Sequence, residues 1–192
     1  MSRRATAAAL AACGLLTLAA CGESDPDDRN EVNAKLVDPD GKRVGTVEID
    51  EDDGTTQVSV RVSGLEAGYH GFHVHTTGKC EADSPSPDDP AKTGDFLSAG
   101  GHLNPDDSAH GEHLGDLPAL LVNDDGSAEL EFAGPFTLDD LRDDDGSAVM
   151  IHAGRDNYAN VPERYAPQGP DEDTTKTGDA GDRIACAVIE PR

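Results

Sequence analysis

Of the seven histidines in this 192-residue chain, six fall into one series, His73, His75, His102, His110, His113 and His152, and Asp116 stands among them. His73 and His75 belong to the run Gly71-Phe72-His73-Val74-His75. On a strand, residues i and i+2 point to the same face, so these two imidazoles stand side by side. Further imidazoles arriving from elsewhere would make a nitrogen-rich pocket suited to copper or zinc. His110, His113 and Asp116 form His-x-x-His-x-x-Asp inside a glycine-rich loop. Two imidazoles and a carboxylate suit tetrahedral zinc with one more nitrogen required, which His102 can supply. Read alone, a His pair on a strand is more often structural than a ligand pair, and a polar loop is more often merely solvated. Their occurrence together points to metal chemistry. His70 has the opposite strand parity to His73 and His75, so it reads as a structural residue bonding backbone near the site. Phe72 and Val74 read as core.

Such side chains need rigid carriers, and the hydrophobic pattern supplies them as short strands. Residues 31–38 alternate, with Val32, Ala34 and Leu36 on one face, and 56–63 do the same with Val58, Val60 and Val62. Further strands are expected at 43–50, 69–76, 118–122, 127–132, 147–152 and 183–189. Asp38-Pro39-Asp40-Gly41 and Asp52-Asp53-Gly54 are turns, and Asn123-Asp124-Asp125-Gly126 is a hairpin signal. About eight strands with no convincing helix pattern indicate an all-β antiparallel sandwich or barrel. Two long segments, 78–117 and 153–182, resist strand assignment. Loops of that length in a compact domain are usually functional, and every candidate ligand lies in them or on the strands beside them.

The formal net charge is −24, from 39 acidic and 15 basic residues. Such a charge argues against nucleic acid and against peripheral binding to anionic lipid. The N-terminus reads as a targeting segment: Arg3-Arg4, then an apolar small-residue stretch from Ala5 to Leu18, too short to span a membrane stably. It ends in Leu18-Ala19-Ala20-Cys21-Gly22, which resembles a bacterial lipobox whose cysteine becomes the lipid-modified first residue. Leu10-Ala11-Ala12-Cys13 has the same local shape but too little apolar run before it; an ordinary secretory peptide cut elsewhere is the weaker alternative. Residues 1–20 are thus expected to be a lipoprotein signal peptide, 21–30 a flexible tether and 31–192 one domain. That places the protein outside the cytoplasm, held to a bacterial membrane through lipid on Cys21. Cys80 and Cys186 then remain as an even pair in an exported protein, and a disulfide is the natural reading.

Four motifs in order carry a resemblance. They are Gly71-Phe72-His73-Val74-His75, Gly101-His102-Leu103-Asn104-Pro105, His113-Leu114-Gly115-Asp116-Leu117-Pro118 and Gly178-Asp179-Ala180-Gly181-Asp182-Arg183-Ile184-Ala185-Cys186. From about residue 31 onward the chain closely resembles a copper/zinc superoxide dismutase of the bacterial exported type. The resemblance implies an eight-stranded Greek-key β-sandwich or barrel. It implies copper on His73, His75, His102 and His152, zinc on His102, His110, His113 and Asp116, and His102 as the bridge between them. It implies a disulfide between Cys80 and Cys186, and Arg183 beside the copper as the group that attracts the anionic substrate, superoxide. It implies that Asp156 links a copper ligand to a zinc ligand, and that Thr177 narrows the channel. The implied reaction is disproportionation of superoxide to dioxygen and hydrogen peroxide, with His102 taking and giving a proton. The resemblance leaves a homodimer and a monomer both open.

Three features depart from the common pattern. Only two residues separate His110 from His113, which could weaken or reshape a zinc site. The segment after His152 is long, with no evident path. The chain is also unusually acidic for an enzyme that captures an anion, so local charge from copper, Arg183 and either Lys176 or Arg155 must do the attracting. A non-enzymatic copper or zinc carrier or store on the same fold is the rival reading, since fold does not fix function. A copper-only enzyme with a degraded zinc site is a third.

Overall fold

The computed structural model describes residues 30–192; the leader, Cys13, Cys21 and the tether up to residue 29 lie outside the described residues. The strands are β1 (Glu31–Val37), β2 (Arg43–Asp52), β3 (Thr55–Val62), β4 (Gly68–His70), β5 (Phe72–His75), β6 (Ser84–Pro85), β7 (Thr93–Gly94), β8 (Leu120–Val122), β9 (Ala128–Gly134), β10 (Ser147–His152) and β11 (Arg183–Ile189). Two short helices, α1 (Leu138–Leu141) and α2 (Glu172–Thr177), lie in the connections. Seven strands form one curled antiparallel sheet in the order β5-β10-β11-β1-β2-β3-β9; β4 pairs with β8, and β6 with β7. The expected eight strands are recovered when β4 and β5 count as one strand broken at Gly71 and the two-residue β6–β7 pair is set aside.

Period-two patterning builds the sheet. Val32, Ala34 and Leu36 of β1, Val47 and Ile49 of β2, and Val58, Val60 and Val62 of β3 are buried on one face. They share a core with Phe72, Val74, Leu120, Val149, Ile151, Ala185 and Ala187. Every residue of β5 and β10 is buried, because the other face of the sheet is covered there too. Ala148, Met150 and Cys186 pack against Phe96 and Ala99 of the first long segment. The disulfide between Cys80 and Cys186 (Cα–Cα 5.6 Å) ties that segment to β11.

Two expectations need correction. The turn at residues 123–127 forms, with Asn123 N–H donating to the Ser127 carbonyl at 2.8 Å, but the strands on either side part instead of pairing as a hairpin. β9 runs along β3 from Thr56 opposite Gly134 to Val62 opposite Ala128, while β8 is taken by β4. Nor are the connections free of helix. In α2 the Asp171 carboxylate accepts the Thr174 N–H, and Gly178 ends the helix in the left-handed region at φ 62°. Six residues are too few to display a helical period, so only the caps could have announced it.

Candidate metal centre

The sheet register assembles the histidines. β10 runs antiparallel to β5, with Met150 opposite His73 and Ala148 opposite His75. His152, at the end of β10, donates its N–H to the Gly71 carbonyl at 2.8 Å and so arrives beside His73. After a shift in register between Ile151 and His152, β11 places Arg183 opposite His152. The first long segment is stitched onto β5 by bridges pairing His73 with Asp116 and His75 with His102. Val74 N–H donates to the Gly115 carbonyl, and Leu103 N–H to the Val74 carbonyl, each at 2.8 Å. Gly115 permits this approach: a Cβ there would strike the Val74 carbonyl and come within 2.9 Å of the Leu103 nitrogen.

Hydrogen bonds on the far side of each ring leave one nitrogen free. His75 Nδ1 lies 2.9 Å from the Gly100 carbonyl, and His152 Nδ1 lies 3.0 Å from the Gly181 carbonyl. Carbonyl oxygens only accept, so each Nδ1 carries the proton and each Nε2 offers a lone pair. Those two Nε2 atoms face one another at 3.4 Å. Asp156 makes the opposite choice for two other rings: its carboxylate oxygens accept from His73 Nε2 at 2.6 Å and from His110 Nε2 at 2.8 Å. Nδ1 of His73 and Nδ1 of His110 are then buried without any hydrogen-bond partner. Buried polar atoms are rarely left so, and lone pairs aimed at one another need a cation between them.

The donor atoms fall into two groups, each with all its members within 4.8 Å of one another: His73, His75, His102 and His152, and His102, His110, His113 and Asp116. In the second group Asp116 Oδ1 lies 3.0 Å from His102 Nδ1, 3.3 Å from His110 Nδ1 and 3.2 Å from His113 Nδ1. Tetrahedral ligands about 2.0 Å from zinc stand roughly 3.3 Å apart, so the spacing fits that ion. The other carboxylate oxygen, Asp116 Oδ2, accepts the N–H groups of Gly111 at 2.6 Å and His113 at 3.0 Å, wrapping the short loop around the carboxylate. The tight His110–His113 spacing therefore still allows four donors to converge. All-nitrogen donors in the first group suit copper, with His102 belonging to both groups.

Charge states follow the same logic. Burial and the nearby Arg183 push His75 well down, and burial with His73 does the same to His152, so both stay neutral. Burial lowers His102 to about 4 despite Asp116. Burial also presses on His110, but Asp116 and Asp156 outweigh it and hold that ring up at about 9, so a zinc ion taking Nδ1 would have to displace a proton from it. Burial would raise both carboxyls, yet the histidines hydrogen-bonded to them keep Asp116 and Asp156 far below the usual carboxylate range.

A cavity of about 700 Å³ opens over His75, His102 and His152, with Arg183 and Thr177 in its wall. Arg183 donates to the carbonyls of Phe96 at 2.6 Å and Gly100 at 2.7 Å. Burial lowers it to about 10, leaving it cationic at neutral pH. Arg155 is not at this cavity; it lies over the Tyr69 ring, 5.2 Å from the centroid. Lys176 is there but pairs with Glu172 at 2.6 Å. Lys92 is at the rim as well, a cation the sequence did not single out. His70 sits outside both groups, its ring nitrogens 2.7 Å from the His152 carbonyl and 2.9 Å from the Glu66 carbonyl. The backbone carbonyls of Phe96, Gly100 and Gly181 escaped the sequence reading, since a carbonyl leaves no residue-type signal.

Comparison with known proteins agrees with this geometry. Residues 43–189 match the family model described as copper/zinc superoxide dismutase. A Mycobacterium tuberculosis protein named superoxide dismutase [Cu-Zn] is 44% identical over 167 residues, covering 82% of this chain and 69% of that protein. The solved Cu/Zn superoxide dismutase from Brucella abortus superposes with a TM-score of 0.65 at 34% identity, covering 83% of this chain and 99% of that one. A SOD-like protein from Bacillus subtilis gives a TM-score of 0.63 at 32% identity, covering 82% and 97% of the two chains.

Proposed function

The chain belongs to the copper/zinc superoxide dismutase family, and from that premise we propose how its own residues serve the conversion of two superoxide anions and two protons into dioxygen and hydrogen peroxide. His73 Nδ1 and the Nε2 atoms of His75, His102 and His152 would hold copper; Nδ1 of His102, His110 and His113, with Asp116 Oδ1, would hold zinc. When bound, copper would supply the one-electron redox chemistry that the conversion needs, and zinc, without redox chemistry, would organise its ligands. Arg183, fixed by two carbonyls in the cavity wall, orients the incoming anion there with its cationic guanidinium. With Nδ1 of His102 on the zinc side, its Nε2 would carry one of the two protons that peroxide needs whenever that nitrogen is not engaged by copper. Thr177 narrows the entrance.

The observation that carries this assignment is the pair of Nε2 lone pairs of His75 and His152 meeting at 3.4 Å while both Nδ1 atoms are committed to carbonyls. A carrier or store is not favoured, because four copper-side histidines, the bridging His102 among them, stand together beside an open cavity with Arg183 in its wall. The test is dismutation measured beside copper and zinc content on one sample, before and after copper is added. Activity should track copper at near one copper and one zinc per chain. The variant His152→Ala should lose activity to background and keep its far-ultraviolet circular dichroism; near wild-type activity would sink the copper assignment.

The leader and the run Leu18-Ala19-Ala20-Cys21 support a second statement: lipid on Cys21 anchors the enzyme outside the cytoplasm. In a bacterial host, Cys21→Ser should move the protein out of the membrane fraction and abolish labelled fatty-acid incorporation. Wild-type protein without label would overturn the anchor.

A further inference from the structure

Tyr158 belongs to none of the ligand or substrate groups above, yet it touches the zinc-side loop at both ends. Its ring lies nearly parallel to that of His110, with centroids 6.4 Å apart and planes 11° from each other. Its hydroxyl accepts the Ala119 N–H at 2.9 Å and donates to the Leu117 carbonyl at 3.4 Å. Its own N–H donates at 2.7 Å to Asp156 Oδ1, the oxygen that also receives His110 Nε2. Its carbonyl lies against Gly111, where a Cβ would come within 3.0 Å. A single residue from the segment after β10 thus meets the start of the loop at His110 and Gly111, and its exit at Leu117 and Ala119.

The backbone around Tyr158 is held in an unfavourable shape to achieve this. Tyr158 and Ala159 both occupy the left-handed region, at φ 54° and 53°. Side chains rarely adopt it, and such conformations persist only where the surroundings over-determine them. Here Asn157 does so: its N–H donates to the Gly178 carbonyl at 2.9 Å, and its side-chain oxygen accepts the Ala159 N–H at 2.8 Å. Gly178 is needed too, since a Cβ there would strike Asp156 and His110.

We propose that Tyr158 is a positioning residue that clamps the short loop 110–116 around zinc, supplying from outside the constraint that a longer loop would provide from within. The inference rests on the reading of His102, His110, His113 and Asp116 as the zinc ligands. Within the loop, Gly111 and His113 are tied to Asp116 Oδ2, and the backbone at Asp116 is bridged to His73, but the Asp116 carboxylate is held by the ligand rings and those two N–H groups alone among the described residues. The phenol adds a second hold on the loop's exit, at Leu117 and Ala119, beside the Leu117 N–H bond to the Phe72 carbonyl, and its ring lies parallel to that of His110. Groups that orient metal ligands from outside typically change metal affinity ten- to a hundredfold.

The experiment compares the full chain, loaded with copper and zinc, with Tyr158→Phe, which keeps the ring and loses the hydroxyl, and Tyr158→Leu, which loses both. Zinc release to a chromogenic chelator is timed, copper content is measured alongside, and cobalt(II) replaces zinc for its visible spectrum. The expectation is release about tenfold faster in Tyr158→Phe and on the order of a hundredfold faster in Tyr158→Leu, with copper content unchanged. The cobalt bands should shift in Tyr158→Leu and return toward the wild-type position in Tyr158→Phe. Wild-type release rates and unshifted bands in both variants would overturn the clamp. Should Tyr158→Leu fail to fold, the Tyr158→Phe rate decides alone. A wild-type chain that takes up neither zinc nor cobalt beside copper would instead overturn the ligand assignment beneath it.

Discussion

A neutral imidazole has one nitrogen that donates and one that accepts, so whatever its donor bonds to decides which nitrogen can meet a metal. Backbone carbonyls make that decision for His75 and His152, and one carboxylate makes it for both His73 and His110. Asp156 therefore couples the two halves of the centre. Replacing it tests this directly. In Asp156→Asn the amide offers one acceptor and one donor, so one of the two Nε2–H groups loses its acceptor and meets another N–H. The expected result is a roughly ten- to hundredfold loss of affinity for zinc, copper or both, measured by competition with a chelator. Unchanged affinity for both metals would show that ring orientation is set elsewhere. The relation was only partly legible in the sequence: Asp156 follows His152 by four residues, but its reach to His73 and His110 depends on the path of the segment after β10.

At the scale of elements, the grouping of the candidate ligands was legible because strand periodicity is a local rule, and the cavity-facing geometry was less so because it depends on which element covers which. The alternation in β1 and β3 and the His-x-His pair gave faces correctly. The parting of β8 from β9 could not be read, since the turn between them is a good hairpin turn and only the pairing of β9 with β3 and of β8 with β4 separates its arms. The cysteine count predicted the disulfide, but not that the loop it fastens supplies the Phe96 and Gly100 carbonyls holding Arg183. That connection has a measurable consequence. Replacing both cysteines, Cys80→Ser with Cys186→Ser, releases a closed loop of about 100 residues, worth roughly 4–5 kcal/mol in the chain-entropy model. Denaturant unfolding should show a loss of about that size. Activity per bound copper should fall as well, because the carbonyls that orient Arg183 are no longer fixed. Full activity per copper in the reduced-stability variant would mean that the packing of Phe96 on Met150 and the bridges to β5 hold the loop in place without the disulfide.

At the scale of the whole molecule, a chain of net charge −24 must attract an anion into a cavity whose rim carries Asp88, Asp89, Glu172, Asp173 and Asp179 against Lys92, Lys176 and Arg183. Salt decides how much of this an approaching superoxide feels. At about 0.1 M ionic strength the Debye length is roughly 10 Å, so acids around the barrel are largely screened while those at the rim are not. The rim charges also act on one another: Lys176 is tied to Glu172, and the charge of Asp88 acts on Arg183. The exposed Lys176–Glu172 pair adds little to stability, which leaves its effect on the field over the cavity as the measurable one. Arg183→Glu should depress the rate at low salt far more than it depresses copper content, because it reverses the charge nearest the site while leaving every ligand in place. Glu172→Gln should act in the opposite sense, removing a rim anion and freeing the Lys176 ammonium. Its kcat/KM should rise roughly two- to fivefold at about 10 mM ionic strength, and the gain should shrink as salt is added. A rate that ignores Glu172→Gln at low salt would place substrate capture wholly within the reach of Arg183, with the acidic rim a bystander.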